Sequence, residues 1–320
     1  MSAPTIERRP VKGASRFGTK TQRANRPVRI KERGVDRVFM VGVYILLTTF
    51  LLAVLLPIVY IVASSFSDPR AVSAGRVTLW PVGFTLDGYI AVLSDPQILT
   101  GFGNSFFYTA VGTTVSLILT VALAYPISRR DFWGRSFIAG AVVFTMLFAG
   151  GLIPTYLVVQ ELGLLDTRWS LIFPQAIGVW QVILAMAFFR VSIPDELYEA
   201  AQLDGSSDLR FLWSVVLPLS KPLLAVIALM YAITQWNSYF DALLYIRDPD
   251  LAPLQIVLRN ILILNQSVTG MDAAEMLRRQ ELADLLRYSL IVVATVPVML
   301  IYPFVARYFT KGVMIGAVKG

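Results

Sequence analysis

The chain has 320 residues, of which 56% are apolar or aromatic and only 15% charged, against about 25% charged in an ordinary soluble domain, which points to an integral membrane protein. It contains no cysteine and no histidine, excluding a disulfide framework, thiol chemistry and any hydrolytic or metal site built on those side chains. The net charge of +7 is concentrated in residues 1–37, where eleven Lys and Arg face Glu7, Glu32 and Asp36, and a nucleic-acid-binding reading is set aside.

That basic stretch has no apolar run of its own and abuts the first apolar segment. It reads as a cytoplasmic tail held at the anionic leaflet. The run Val38 to Ala63 is too long for the apolar part of a cleaved signal peptide and long enough to span, since about 20 residues are needed. Five further windows of suitable length follow: Ser105 to Ile127, Phe137 to Val159, Leu171 to Phe189, Leu219 to Trp236 and Leu286 to Phe309. The expectation is therefore an all-α, polytopic membrane protein of six transmembrane helices, occupying 38–309, with 310–320 as a Gly-rich tail. Three of these spans carry breakers: Gly150-Gly151 with Pro154, Pro174 with Gly178, and Lys221-Pro222. Such breaks are tolerated where neighbouring helices or a water-lined cavity satisfy the freed backbone groups, so these spans should face the bundle interior.

Orientation follows from Lys and Arg, which are in excess on the cytoplasmic side. Placing both termini inside puts 20 of the 28 Lys and Arg in the cytoplasm, including Arg129, Arg130, Arg135, Arg190, Arg210 and Lys221. The two long outside segments are then 66–104 and 237–285. The second contains Leu254 to Leu264, too short to cross and expected to be interfacial or re-entrant.

The most informative stretch lies in the inside loop 190–218. Ser192 and Pro194 give a helix start, and Asp195 and Glu196 suit its positive dipole end. Leu197, Ala200, Ala201 and Asp204 follow at i, i+3, i+4, i+7 and share a side. Gly205 can adopt the left-handed geometry that ends a helix, and Ser206, Ser207 and Asp208 can cap the next. A short, rigid helix-turn-helix between apolar runs is a docking shape.

Glu199-Ala200-Ala201, three residues, Gly205, nine residues and Val215-Val216-Leu217-Pro218 resemble the signature of the permease subunits of bacterial ABC importers, with Val215 where the family has Ile. The resemblance extends along the chain to the carbohydrate-importer branch. Trp80-Pro81-Val82-Gly83-Phe84-Thr85, Gly150 to Tyr156, Leu164-Leu165-Asp166-Thr167 and Trp236 to Ala242 are similar to a sub-branch for oligosaccharides such as alginate or pectin fragments. The basic tail lies outside it.

The resemblance implies a type I importer permease, in the inner membrane of a bacterium, whose short loop helix is a coupling helix seated in an ATPase subunit. Glu199, Ala200, Ala201, Leu203, Asp204 and Gly205 would make that contact, and Gly316 and Lys319 of the tail would reach between the ATPases. The implied partners are a second homologous permease, two cytosolic ATPase subunits, an extracytoplasmic solute-binding protein and the lipid membrane; nucleic acid is not among them. ATP and Mg would belong to the ATPases, in keeping with the missing G-x-x-x-x-G-K-[ST] sequence, and this chain would bind no cofactor and be no enzyme. For a sugar pathway, amide groups and aromatic faces are needed: Tyr156, Gln175, Trp180, Gln181, Tyr231, Gln235, Trp236 and Asn237 are the candidates, Trp236 and Asn237 first, with Arg259 for an acidic substrate. Trp and Tyr also populate membrane interfaces for amphipathicity alone. The alternative is a self-contained secondary transporter or channel, but the spans hold almost no acidic residue away from their ends for ion coupling.

Overall fold

The computed structural model describes residues 34–263, 283, 286–301 and 303, and all regular structure among them is helical. The basic tail through Arg33 and the C-terminal residues Gly316 and Lys319 lie outside the described residues. The chain divides into two compact units, residues 1–54 and 55–320. The described part of the first is the opening of helix α1 (Gly34–Ser65), which begins within the stretch expected to be tail. Its apolar side chains, among them Phe39, Tyr44, Leu46 and Phe50, are exposed, as lipid contact requires.

In the second unit the end of α1 buries Ala63, Ser64 and Ser65. Two short helices follow, α2 (Pro69–Ser73) and α3 (Asp87–Ser94), the first capped by the Asp68 carboxylate. Helix α4 (Pro96–Ser128) is the axis of the unit. Asp95 caps it by accepting from the Gln97 and Ile98 N–H groups, and Pro96 supplies a first-turn residue that has no N–H to satisfy.

The third apolar window is not one straight helix. Helices α5 (Arg135–Leu147) and α6 (Leu152–Glu161) meet at 116°, because Gly151, at φ 86°, ends regular helix where a side chain would be strained. The fourth window is also broken. A 3-10 turn at Arg168–Leu171 leads into irregular chain through Pro174, and helix α7 (Val179–Ser192) starts only after Gly178. It has 14 residues, about 21 Å, against a hydrocarbon core of about 30 Å.

Helix α8 (Asp195–Leu203) and helix α9 (Asp208–Phe211) form the loop hairpin. The chain passes through a π-helical turn at Leu212–Val216 into α10 (Leu217–Leu219), then bends by 82° into α11 (Lys221–Trp236). Beyond it lie α12 (Tyr239–Tyr245), a 3-10 turn at Pro249–Leu251, α13 (Leu254–Ile263) and the apolar helix α14 (Leu286–Ile301). Among the described residues, only α1 and α4 are long and apolar enough to cross alone, and counting each bent pair as one span brings the number to four. Against the expectation of six transmembrane helices, the described residues give two long apolar helices, two bent pairs and two shorter apolar helices, with breaks at Gly150-Gly151, between Leu171 and Gly178, and at Ser220.

Packing centres on α4. At one end Ala124, Tyr125 and Ile127 pack with Val182, Ala185 and Phe189 of α7, Phe211, and Leu223, Ile227 and Tyr231 of α11. At the other end Ile98 packs with Val92, Trp236, Leu254, Val257, Leu290 and Ala294. Polar ties close that end: the Asn104 amide donates to the Asp250 and Ala252 carbonyls, and the Ser105 hydroxyl accepts from the Leu254 N–H.

Candidate functional site

The hairpin α8–α9 is joined to the helix bundle by few side chains. Only Tyr198 and Ala201 of α8 pack on the core beside α7. Leu197, Glu199, Ala200, Leu203, Asp204 and Gly205 are exposed, Leu203 at 90%. The four residues expected to share one side therefore divide, with Ala201 inward and the rest to solvent. Leu203 stands at the tip of the turn with its side chain open to solvent.

The turn is held by backbone geometry. Gly205 sits at φ 73°, its N–H donates to the Gln202 carbonyl, and the Ser206 N–H reaches back to Ala201, the paired bonds of a Schellman motif. Ser207 caps α9 as expected, accepting from the Arg210 N–H. At the start of α8 the expectation shifts: Ser192 ends α7, and Pro194 is the capping position, with no side-chain bond.

Tyr198, absent from the sequence reading, is the clamp. Its hydroxyl donates to the Asp208 carboxylate at 2.7 Å and accepts from the Gln202 amide at 2.7 Å, so it bolts α8 to α9. The Asp208 bond, with partial burial, pushes the Tyr198 phenol above its ordinary pKa. The ring lies 3.1 Å from the Arg129 guanidinium carbon, and Arg129 is held by two bonds to Asp131, at 2.8 and 2.7 Å. That contact holds the Asp131 carboxyl below the usual range. Arg190 of α7 donates to the Ile127 carbonyl at 3.0 Å. The hairpin is thus tied to the end of α4 through Arg129, and α4 in turn to α7 through Arg190. Helical periodicity could not reveal a bond from Tyr198 to a residue ten positions on, across a turn.

The expected pathway residues do not form one cluster. Trp236 is 3% exposed, packed against Phe102 and Phe106, with its indole N–H donated to the Ala294 carbonyl. Asn237 is exposed and turns its amide back to the Ile233 carbonyl. Tyr231 is buried: its hydroxyl meets the Thr120 hydroxyl at 2.6 Å and accepts from the Gly178 N–H at 2.9 Å, joining α4, α11 and the start of α7. Gln235 is also buried, against α4 at Gly112, and Gln181 is half-buried.

Tyr156 stacks on Tyr245 at 6.1 Å, and the Gln175 amide donates to Asp241. Burial pushes the Asp241 carboxyl up, against the Gln175 bond. Trp180 is 57% exposed, and the broken stretch before it presents the stacked pair Trp169 and Phe173, both exposed. Of the eight candidates, Trp180 is exposed with no bond of its own among the described residues, and Gln175 is exposed with its amide on Asp241. Arg259 is half-buried on α13. No group of three or more potential metal ligands occurs among the described residues.

No family model matches the chain. It is 44% identical over 266 residues to protein LplC of Bacillus subtilis, covering 83% of this chain and 90% of that one. It is 42% identical over 286 residues to the polygalacturonan/rhamnogalacturonan transport system permease protein YtcP of the same organism, covering 89% and 99%. Among solved structures it resembles a chain of a bacterial ABC transporter involved in the import of the acidic polysaccharide alginate. The TM-score is 0.81 at 37% identity, over 87% of this chain and 99% of that one.

Proposed function

The chain belongs to the permease subunits of carbohydrate ABC transporters, and from that premise we propose that α8 is the coupling helix through which two ATPase subunits drive its motion. The permease is a membrane subunit and not itself an enzyme. It acts in oligosaccharide import. The observation that carries the coupling role is the exposed, doubly clamped hairpin: Glu199, Ala200, Leu203, Asp204 and Gly205 are presented together, while Tyr198 transmits their displacement to α4 through Arg129.

The full reading is a six-span subunit of the bacterial inner membrane with both termini and the hairpin in the cytoplasm, supported by the Lys and Arg bias. The basic tail, residues 1–37, and the terminal Gly316 and Lys319 lie on that same side, the latter two placed between the ATPases. A second permease chain completes the pathway, and a solute-binding protein delivers the substrate. ATP and Mg act on the ATPases, with no cofactor on this chain. An acidic oligosaccharide is the proposed cargo, in view of the pectin- and alginate-related relatives. Trp169, Phe173 and Trp180 give it aromatic faces, and Gln175 an amide.

The test is reconstitution with and without the ATPase subunits. Uptake of a pectic or alginate oligosaccharide should require ATP, both ATPases and the second permease. Uptake by this chain alone, driven by an ion gradient, would establish instead a secondary transporter.

A further inference from the structure

Beneath the hairpin lies a cavity of about 690 Å³, within the range of small-molecule sites. Its rim is cationic: Arg129, Arg130, Arg135 and Arg190 line it, with the Ser128 and Ser136 hydroxyls, against the two carboxylates Asp195 and Glu196. Its floor is aromatic, formed by Tyr125, Phe189 and Phe211. Arg129 is spent on Asp131 and Tyr198. Arg130 makes an exposed, 3.4 Å pair with Asp195, of little worth in water.

Arg135 and Arg190 differ. Each is anchored by a main-chain carbonyl at the end of α4, Arg135 to Arg129 at 3.3 Å and Arg190 to Ile127 at 3.0 Å. Each anchor uses one of five guanidinium donors, so both forks are pre-set while most of their donors remain for a phosphate. Near them in the chain Trp133, Phe137 and Val191 are 94%, 82% and 84% exposed, apolar side chains suited to lipid contact, with Trp133 of the type enriched at membrane interfaces. A cationic rim, an apolar floor and flanking interfacial aromatics match a molecule that is itself charged at one end and apolar at the other.

We propose that this cavity binds the phosphate headgroup of an anionic phospholipid of the cytoplasmic leaflet, through Arg135 and Arg190, and that the bound headgroup braces the coupling helix. Asp195 and Glu196, which line the same cavity, accept from headgroup hydroxyls and so favour phosphatidylglycerol. Because Pro194, Asp195, Glu196 and Tyr198 of the hairpin line the same space, occupancy stiffens the joint between α7 and α8. The inference rests on the sidedness proposed above.

Native mass spectrometry of the full-length chain in detergent tests it, with phosphatidylglycerol and phosphatidylcholine as probes. Phosphatidylglycerol should be retained at least tenfold more tightly. Arg135→Gln combined with Arg190→Gln should abolish that preference, and Arg247→Gln, at the other end, should not alter it. Ser136→Asp, at the exposed mouth, removes none of the anchoring bonds and should give the same loss even where the double variant fails to fold. Equal retention of the two lipids, or an unaltered preference in Ser136→Asp, overturns the proposal.

Displacement of the lipid by millimolar inorganic phosphate would overturn it in favour of a soluble anion. Displacement by added ATPase subunits would overturn it in favour of a protein contact. Neither lipid measurement involves ATP, so a failure of the transport reading would appear separately, as ATP-independent uptake.

Discussion

Tyr231 has one hydroxyl serving three elements. It meets Thr120 on α4 and takes the Gly178 N–H at the start of α7. Tyr231→Phe leaves a buried hydroxyl and a backbone N–H without their partner, which costs about 1–3 kcal/mol. The expected outcome is a lower melting temperature in detergent and slower uptake; Thr120→Val, which spares the Gly178 bond, should cost less. Asp166 is a second such residue. It holds φ 58°, donates its N–H to the Tyr245 carbonyl, and accepts from the Arg247 and Asp248 N–H groups, which lower its pKa. A depressed carboxyl pKa stabilises the clasp above the unfolded value of about 3.9 and loses that contribution as pH falls through the folded value. Proteolysis of the 245–251 loop should therefore be unaltered from pH 7 to 5 and rise only in stronger acid. Asp166→Asn should erase this pH dependence.

At the scale of elements, the hairpin works as one rigid piece. Gly205→Ala forces a side chain into a left-handed position, costing about 1–2 kcal/mol, and should loosen the turn. Tyr198→Ala removes the Asp208 and Gln202 bonds and the Arg129 contact together, while Tyr198→Phe keeps the last. ATP hydrolysed per sugar imported should rise most in Tyr198→Ala and less in Tyr198→Phe; an unaltered ratio in both would refute transmission through this ring. The hairpin was legible in the sequence because its turn chemistry is local: Gly205 and Ser207 act within a few residues. The contacts of Tyr198, Arg129 and Arg190 were not, since their partners are set by how helix ends meet in space. Trp236 illustrates the same limit. An indole reads alike whether it stacks on a sugar or on Phe102 and Phe106, and only packing against α14 decides.

The whole molecule places its polar ends consistently. Arg129, Arg130, Arg135, Arg190 and the hairpin gather at one end of α4, while Asn104, Asp250 and Leu254 gather at the other. The sequence assigned those arginines to one side by charge counting alone. Bends of 116° and 82° could be located from Gly151 and the Ser220–Pro222 region, while the residue types there do not fix the angle. A chain without cysteine suits a direct test of sidedness. Leu203→Cys should react with a membrane-impermeant maleimide only in inside-out vesicles, and Trp80→Cys only in right-side-out ones; labelling in the reverse pattern would invert the proposed topology.

Helix α7 is an unbroken run of 14 residues, about 21 Å long, with the hairpin following one tip and the Tyr231 bond at the other. At that length it does not by itself match a hydrocarbon core of about 30 Å, so on the proposed topology its upper tip would stop partway across the lipid. On the proposed coupling role, a shove from an ATPase would cross the joint between α8 and α7, run the length of α7, and meet next the irregular stretch that displays Trp169, Phe173 and Gln175. Force and cargo would meet there, inside the membrane and not at its rim.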